Sequence, residues 1–227
     1  MSTNVPAGTD TGTSTQLQIL ATEHWSLLAT RALTYTESLG RVSIFLAILS
    51  GAVIALALVA QADHFGPAFI AIAIVTLTVV LFTGIATIGR LMQLNGDDHR
   101  WVIGMNRLRH AYLELHPDLA PFFTTSPYDD LPGALQTLGI DRGATGKVGS
   151  ALHVFQTLPG MLSVIVAAVA GAIGSLVTYA FAIQAAGVIA AGGAAFIVTV
   201  VLMRIWGKRA YTRMDPALAP RFPSPKG

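Results

Sequence analysis

The chain contains no cysteine, so disulfides, thiolate nucleophiles, Cys-ligated zinc and iron–sulfur clusters are excluded. Charge is nearly as scarce. Only 11% of the 227 residues are Asp, Glu, Lys or Arg, against about 25% in a typical soluble domain. A surface facing water on all sides cannot be covered with so few charges. The net charge is only +2, and a nucleic-acid binder would carry a much larger basic excess on one face. What fills the sequence instead is apolar: 53% of residues are hydrophobic and the mean hydropathy is +0.61. That composition rules out a disordered chain and points to an integral membrane protein.

Long uncharged stretches set the organisation. Residues Val42–Ala62 form a 21-residue run without charge, which as a helix rises about 32 Å and crosses a hydrocarbon core of about 30 Å. A short connector, Asp63-His64-Phe65-Gly66-Pro67, leads into a second run ending at Arg90. From Val154 to Met203 there is no charged residue at all, enough for two further spans, expected near Pro159–Ile183 and Gly187–Trp206. The fold class that follows is all-α: a polytopic membrane protein with four transmembrane helices in two hairpins.

The 14 basic residues assign an orientation. Arg31 and Arg41 precede the first span; six lie between the second and third; six follow Met203; the two short connectors hold none. Positive residues accumulate on the cytoplasmic side, so both termini are expected in the cytoplasm.

Helical rhythm extends beyond the spans. Trp25, Leu28, Ala32, Tyr35, Leu39 and Val42 recur at alternating spacings of 3 and 4, and so do Leu91, Leu94, Asp98, Trp101, Met105, Leu108, Tyr112 and Leu115. These are coiled-coil seams, the second with one acidic interruption. They predict that the first hairpin continues as a cytoplasmic antiparallel helical stalk, with Trp25, Leu28, Tyr35, Trp101, Met105, Leu108 and Tyr112 along its seam. Asn95-Gly96 is a candidate kink, but the rhythm keeps phase across it. The expected organisation is a disordered tail over 1–16, stalk plus hairpin over 17–116, a Pro/Gly-rich connector over 117–157 with a short helix near 132–138, a second hairpin over 158–214 and a disordered tail over 215–227.

Residues able to carry chemistry are few. The expected spans hold no ionisable residue in their central parts, which argues against proton-coupled transport. Small residues recur at four-residue spacing instead: Ser43, Ala47, Gly51 and Ala55; Ala167, Gly171 and Ser175; Ala170, Gly174 and Thr178; Gly187, Ala191 and Ala195. Such stripes let helices approach closely, within one subunit or between copies, so a homo-oligomer is one expectation. Thr76, Thr83 and Thr87 share a face and are candidate pore-lining residues, although a Thr in such a helix often bonds to its own backbone. Arg100, Arg107, Arg109, His110 and Glu114 form a polar cluster that reads first as a salt-bridged surface and second as a site for anionic lipid or a partner. A metal or catalytic site at Asp97–Glu114 is the least favoured reading, because a lone His-x-x-x-Glu is a weak motif. Asp129-Asp130 reads as a helix start. No cofactor is implied, nucleic acid is not expected as a partner, and the partners that remain are the lipid bilayer, further copies of the chain and a cytoplasmic protein.

The segments ATEHWSLLATRALTYTES (21–38) and WVIGMNRLRHAYLELHPDLAPFF (101–123) resemble those of a group of uncharacterised bacterial multi-pass membrane proteins. This resemblance implies a bacterial inner-membrane location and no particular activity. The helix–hairpin–helix of residues 17–115 is similar in architecture to the two-span SLATT domains, which implies a membrane-disrupting effector as an alternative.

Overall fold

A computed structural model describes residues 7–139, 157–181, 183–212 and 219–225. Its helices are α1 (Ala7–Asp63), α2 (Pro67–Leu115), α3 (Leu131–Thr137), α4 (Leu158–Ala180) and α5 (Ala185–Thr212), with a 3-10 turn at Pro117–Phe122. Among the described residues there is no strand, and four helices, α1, α2, α4 and α5, are long and apolar enough to cross a membrane. α2 runs unbroken through Gly96. α1 begins at Ala7, inside the stretch expected to be a disordered tail. The expected connector beyond residue 139 lies outside the described residues up to Thr157.

The chain divides into two units. One comprises residues 37–94 and 146–213, the other residues 1–36, 95–145 and 214–227. In the first, parts of α1 and α2 pack with α4 around Val42, Phe45, Leu77, Val80, Ile88, Leu162 and Val166. Gly84 sits where three helices meet: a Cβ there would lie 2.9 Å from the Phe45 ring and closer still to Val166. Glu37 joins α1 to α2, accepting from Arg90 Nε at 3.0 Å and from Arg41 Nε at 2.8 Å.

α4 and α5 approach backbone to backbone. A Cβ on Gly171 would meet the Gly192 carbonyl oxygen at 3.0 Å, and one on Gly174 would meet Ala195 Cβ at 3.0 Å. Ser175 Oγ donates to the Val188 carbonyl across the pair at 3.3 Å. Without water exclusion as a driving force, such close van der Waals contact is what holds apolar helices together. The small-residue stripes of these two helices are therefore matched within one chain. The stripe on α1 differs: Ser43, Ala47, Gly51 and Ala55 are all exposed, and nothing lies within 4 Å of a Cβ on Gly51.

The α1–α2 turn is capped from within. Asp63 accepts from the Phe69 amide at 2.7 Å, and the Gly66 amide donates to the Asp63 carbonyl at 2.8 Å. His64 and Phe65 take left-handed conformations, φ 44° and 62°, which non-glycine residues adopt at some cost. The cap at Asp63 offsets that cost.

Candidate functional site

In the second unit, α1 and α2 meet in antiparallel order. The His24 and Tyr112 rings stack with centroids 6.0 Å apart, Leu27 lies against Gly104, and Arg31 Nε donates to Asp98 Oδ1 at 2.7 Å. On α2 within this unit the expected seam is on the covered side, with Met105 buried and Trp101, Leu108 and Tyr112 half-buried; Leu91 and Leu94 are buried in the first unit. On α1 the expectation needs correcting. Trp25 is 71% exposed and Tyr35 64%, and Leu28 and Leu39 are exposed as well. The inward positions are His24, Leu27, Arg31 and Thr34, the same 3–4 rhythm one residue earlier. Electrostatics gives the reason. Asp98 interrupts the seam of α2, and the register that sets Arg31 opposite it supplies a counter-charge that Ala32 could not.

The other side of α2 carries a polar network that the sequence reading did not assemble. Asn106 is fully buried and uses both ends of its amide. Its Nδ2 donates to the Tyr128 carbonyl at 2.7 Å, while its Oδ1 accepts from Arg109 Nη1 at 2.6 Å and Thr137 Oγ1 at 2.9 Å. Arg109, expected in a surface cluster, is buried by this arrangement. Beside the network, Val102 and Ile103 of α2 pack on Ala134 and Leu138.

Asp129 is the centre of the next layer, and its side chain has no exposed surface. Its carboxylate accepts from Arg107 Nε at 2.7 Å, from the Arg221 amide at 2.9 Å and from the Phe222 amide at 2.8 Å. Burial pushes this carboxyl up, but the Arg221 amide, the Arg107 guanidinium and the Phe222 amide together outweigh that and hold it below its ordinary value. Asp130 caps α3, accepting from the Gly133 amide at 2.9 Å, and so performs the expected helix-start role. It also accepts from the Ser224 amide and hydroxyl, each at 2.8 Å. Here too burial acts upward and is outweighed, by the Gly133 and Ser224 donors, so the carboxyl lies below its ordinary value.

Residues 219–225 are thereby part of this unit, although the sequence placed them in a disordered tail. The Phe222 carbonyl accepts from the Asp129 amide at 3.1 Å, the Ala219 carbonyl from Arg107 Nη2 at 3.0 Å, and the Phe222 ring stacks on His110 at 4.0 Å. The expected polar cluster is thus divided. Arg107 and His110 meet the C-terminal segment, Glu114 sits 3.5 Å from His110, and Arg100 lies 3.6 Å from Asp97. Two signals in the sequence pointed here without being joined: the paired Asp129-Asp130 and the closely set prolines at 220, 223 and 225.

Elsewhere the expected chemistry is thin. Among the described residues no group of three His, Asp or Glu could hold a metal. Thr83 Oγ1 donates to the Val79 carbonyl and Thr87 Oγ1 to the Thr83 carbonyl, both at 2.8 Å, so these hydroxyls turn back on their own helix; Thr76 is half-buried on the same helix. A hollow of about 520 Å³ beside Phe69 and Tyr179 is mainly apolar, with His64 and Ser175 among its lining residues.

Among the described residues the protein is helical, with four helices suited to spanning a membrane, and residues 219–225 clasp the second unit through Asp129 and Asp130. No protein-family model, curated protein or solved structure matches the chain.

Proposed function

We propose that the chain is a non-enzymatic integral protein of a bacterial inner membrane, and that its cytoplasmic helical stalk is a scaffold for docking. Two transmembrane hairpins anchor it, with both termini in the cytoplasm as the placement of its basic residues requires. The stalk docks further copies of the chain or a cytoplasmic protein.

One observation carries this reading. Trp25, Leu28 and Tyr35 share one face of α1 and are all exposed, ahead of the uncharged 42–62 stretch and next to Glu23 and Arg31. Contiguous large apolar side chains at a water-facing position mark an interaction surface. Replacing Trp25, Leu28 and Tyr35 together by Ser tests it in protein reconstituted in nanodiscs. These side chains are already exposed, so thermal unfolding should barely move, while crosslinked higher-mass species or a co-purifying partner should fall by at least tenfold. Unchanged association with the fold retained rejects the scaffold. The same test on Met105 would be uninformative, because that side chain is buried and its loss disturbs the fold.

An oligomeric pore along Thr76, Thr83 and Thr87 has less support, since Thr83 and Thr87 spend their hydroxyl protons inside α2. A membrane-bound enzyme using Asp97–Glu114 has less again, because Asp97 and Glu114 lie beside Arg100 and His110 in ordinary one-turn surface pairs.

A further inference from the structure

The segment Ala219–Pro225 has the sequence Ala-Pro-Arg-Phe-Pro-Ser-Pro. Three prolines remove three backbone N–H groups and restrain the rest toward an extended form. The N–H groups left after Pro220 are those of Arg221, Phe222 and Ser224. All three donate to Asp129 or Asp130, at 2.8–2.9 Å. The two adjacent carboxylates therefore read every backbone donor between Pro220 and Pro225 of an extended, proline-punctuated segment. Arg107 and the Asp129 amide read its carbonyls at Ala219 and Phe222. Side-chain selection is added at two positions, by the stack of Phe222 on His110 and by the Ser224 hydroxyl on Asp130 Oδ1.

We propose that Asp129 and Asp130, with Arg107 and His110 of α2, form a binding site for extended peptides of the type Pro-x-aromatic-Pro-Ser, and that the chain's own residues 219–225 are its built-in, displaceable occupant. The geometry supports a binding site over a fixed strut in two ways. Apart from the Phe222 ring, the segment is held by polar contacts at its backbone and at Ser224, and Arg221, Pro223 and Pro225 remain exposed. The fully buried partner is the receptor carboxylate of Asp129, itself held by Arg107 on α2, so the receptor side is organised by groups outside the segment. Proline-restrained ligands lose little conformational entropy on docking, which suits a short sequence to reversible binding. This site uses residues other than the apolar face of α1, so it stands whether or not that face docks a partner.

The test uses the full-length protein in detergent micelles and the synthetic peptide Ala-Pro-Arg-Phe-Pro-Ser-Pro carrying an N-terminal fluorophore. A full-length variant with Phe222→Ala and Ser224→Ala weakens the internal occupant and should bind the peptide saturably, read by fluorescence anisotropy. Wild type should bind it at least tenfold more weakly, because its own segment competes. Asp130→Asn added to the variant should cost about tenfold again. Absence of saturable binding to the folded variant up to millimolar peptide overturns the proposal, and so does equal binding to variant and wild type. Should the variant unfold, wild type decides alone. Unlabelled peptide must then speed hydrogen exchange at the Arg221 and Phe222 amides, and unchanged exchange at millimolar peptide overturns the proposal.

Discussion

Asp129 concentrates the local chemistry of its unit in one carboxylate. Hydrogen bonds to a charged acceptor each contribute about 1.5–3 kcal/mol, and removing one partner of a buried pair costs more than its interaction alone. Asp129→Asn keeps the shape but loses the charge and turns an N–H₂ toward donors. We expect it to destabilise the unit by about 3 kcal/mol, read by thermal unfolding. The pH dependence follows from the sign of the shifts. Both aspartates sit below their ordinary value of 3.8 in the folded chain, so their contribution is complete above that value and fades as pH falls through the lowered folded values. The amide resonance of Ser224 should accordingly move as pH falls below about 4; an unchanged resonance on that acidification would contradict this. The Arg31–Asp98 pair is a smaller matter. Its side chains are 31% and 30% exposed, so a double-mutant cycle should return a coupling of only about 0.5–1 kcal/mol despite the two-point geometry.

At the scale of elements, packing distance decides which substitutions matter. α4 and α5 touch through glycine backbones, so Gly171→Leu should force them apart and cost about 2–3 kcal/mol or more, seen as a lower unfolding temperature in micelles. Gly51→Leu on the open face of α1 should leave the unfolding temperature within a degree or two, since nothing lies within 4 Å of a Cβ there. The rhythm of α1 was readable as helix and as one half of a pair, but not in phase. Neighbouring stripes at 24, 27 and 31 and at 25, 28 and 32 share the same spacing, and apolar content favours the second. The first is chosen because Asp98 and Tyr112 on α2 meet Arg31 and His24. The 219–225 segment was read as unstructured for a related reason. Proline removes the donors that secondary structure needs, and the acceptors that take up the remaining donors lie about ninety residues earlier in the chain.

For the whole molecule the clearest expectation is topology, and the absence of cysteine makes it simple to measure. Single cysteines at Ser14 and Gln184 give two reporters on an otherwise unreactive chain. In intact cells a membrane-impermeant maleimide should label the Gln184 site and reach the Ser14 site only after lysis; the reverse pattern would invert the orientation proposed from the basic residues. Composition by itself determined that the chain is helical and rich in membrane-suited segments, because a hydrocarbon-length run without charge has few other stable forms. Spacing gave the helical rhythm on both sides of Gly96 and left a kink there open, and the structure carries α2 through it as one helix. Tertiary structure alone decided which of two equivalent faces of α1 turns inward, that the glycines of α4 and α5 are satisfied by each other, and that Arg107, His110, Asp129 and Phe222 converge. Helical periodicity is a local property of the chain, whereas the partner of a buried charge is set by whatever distant segment can bring the matching group into reach.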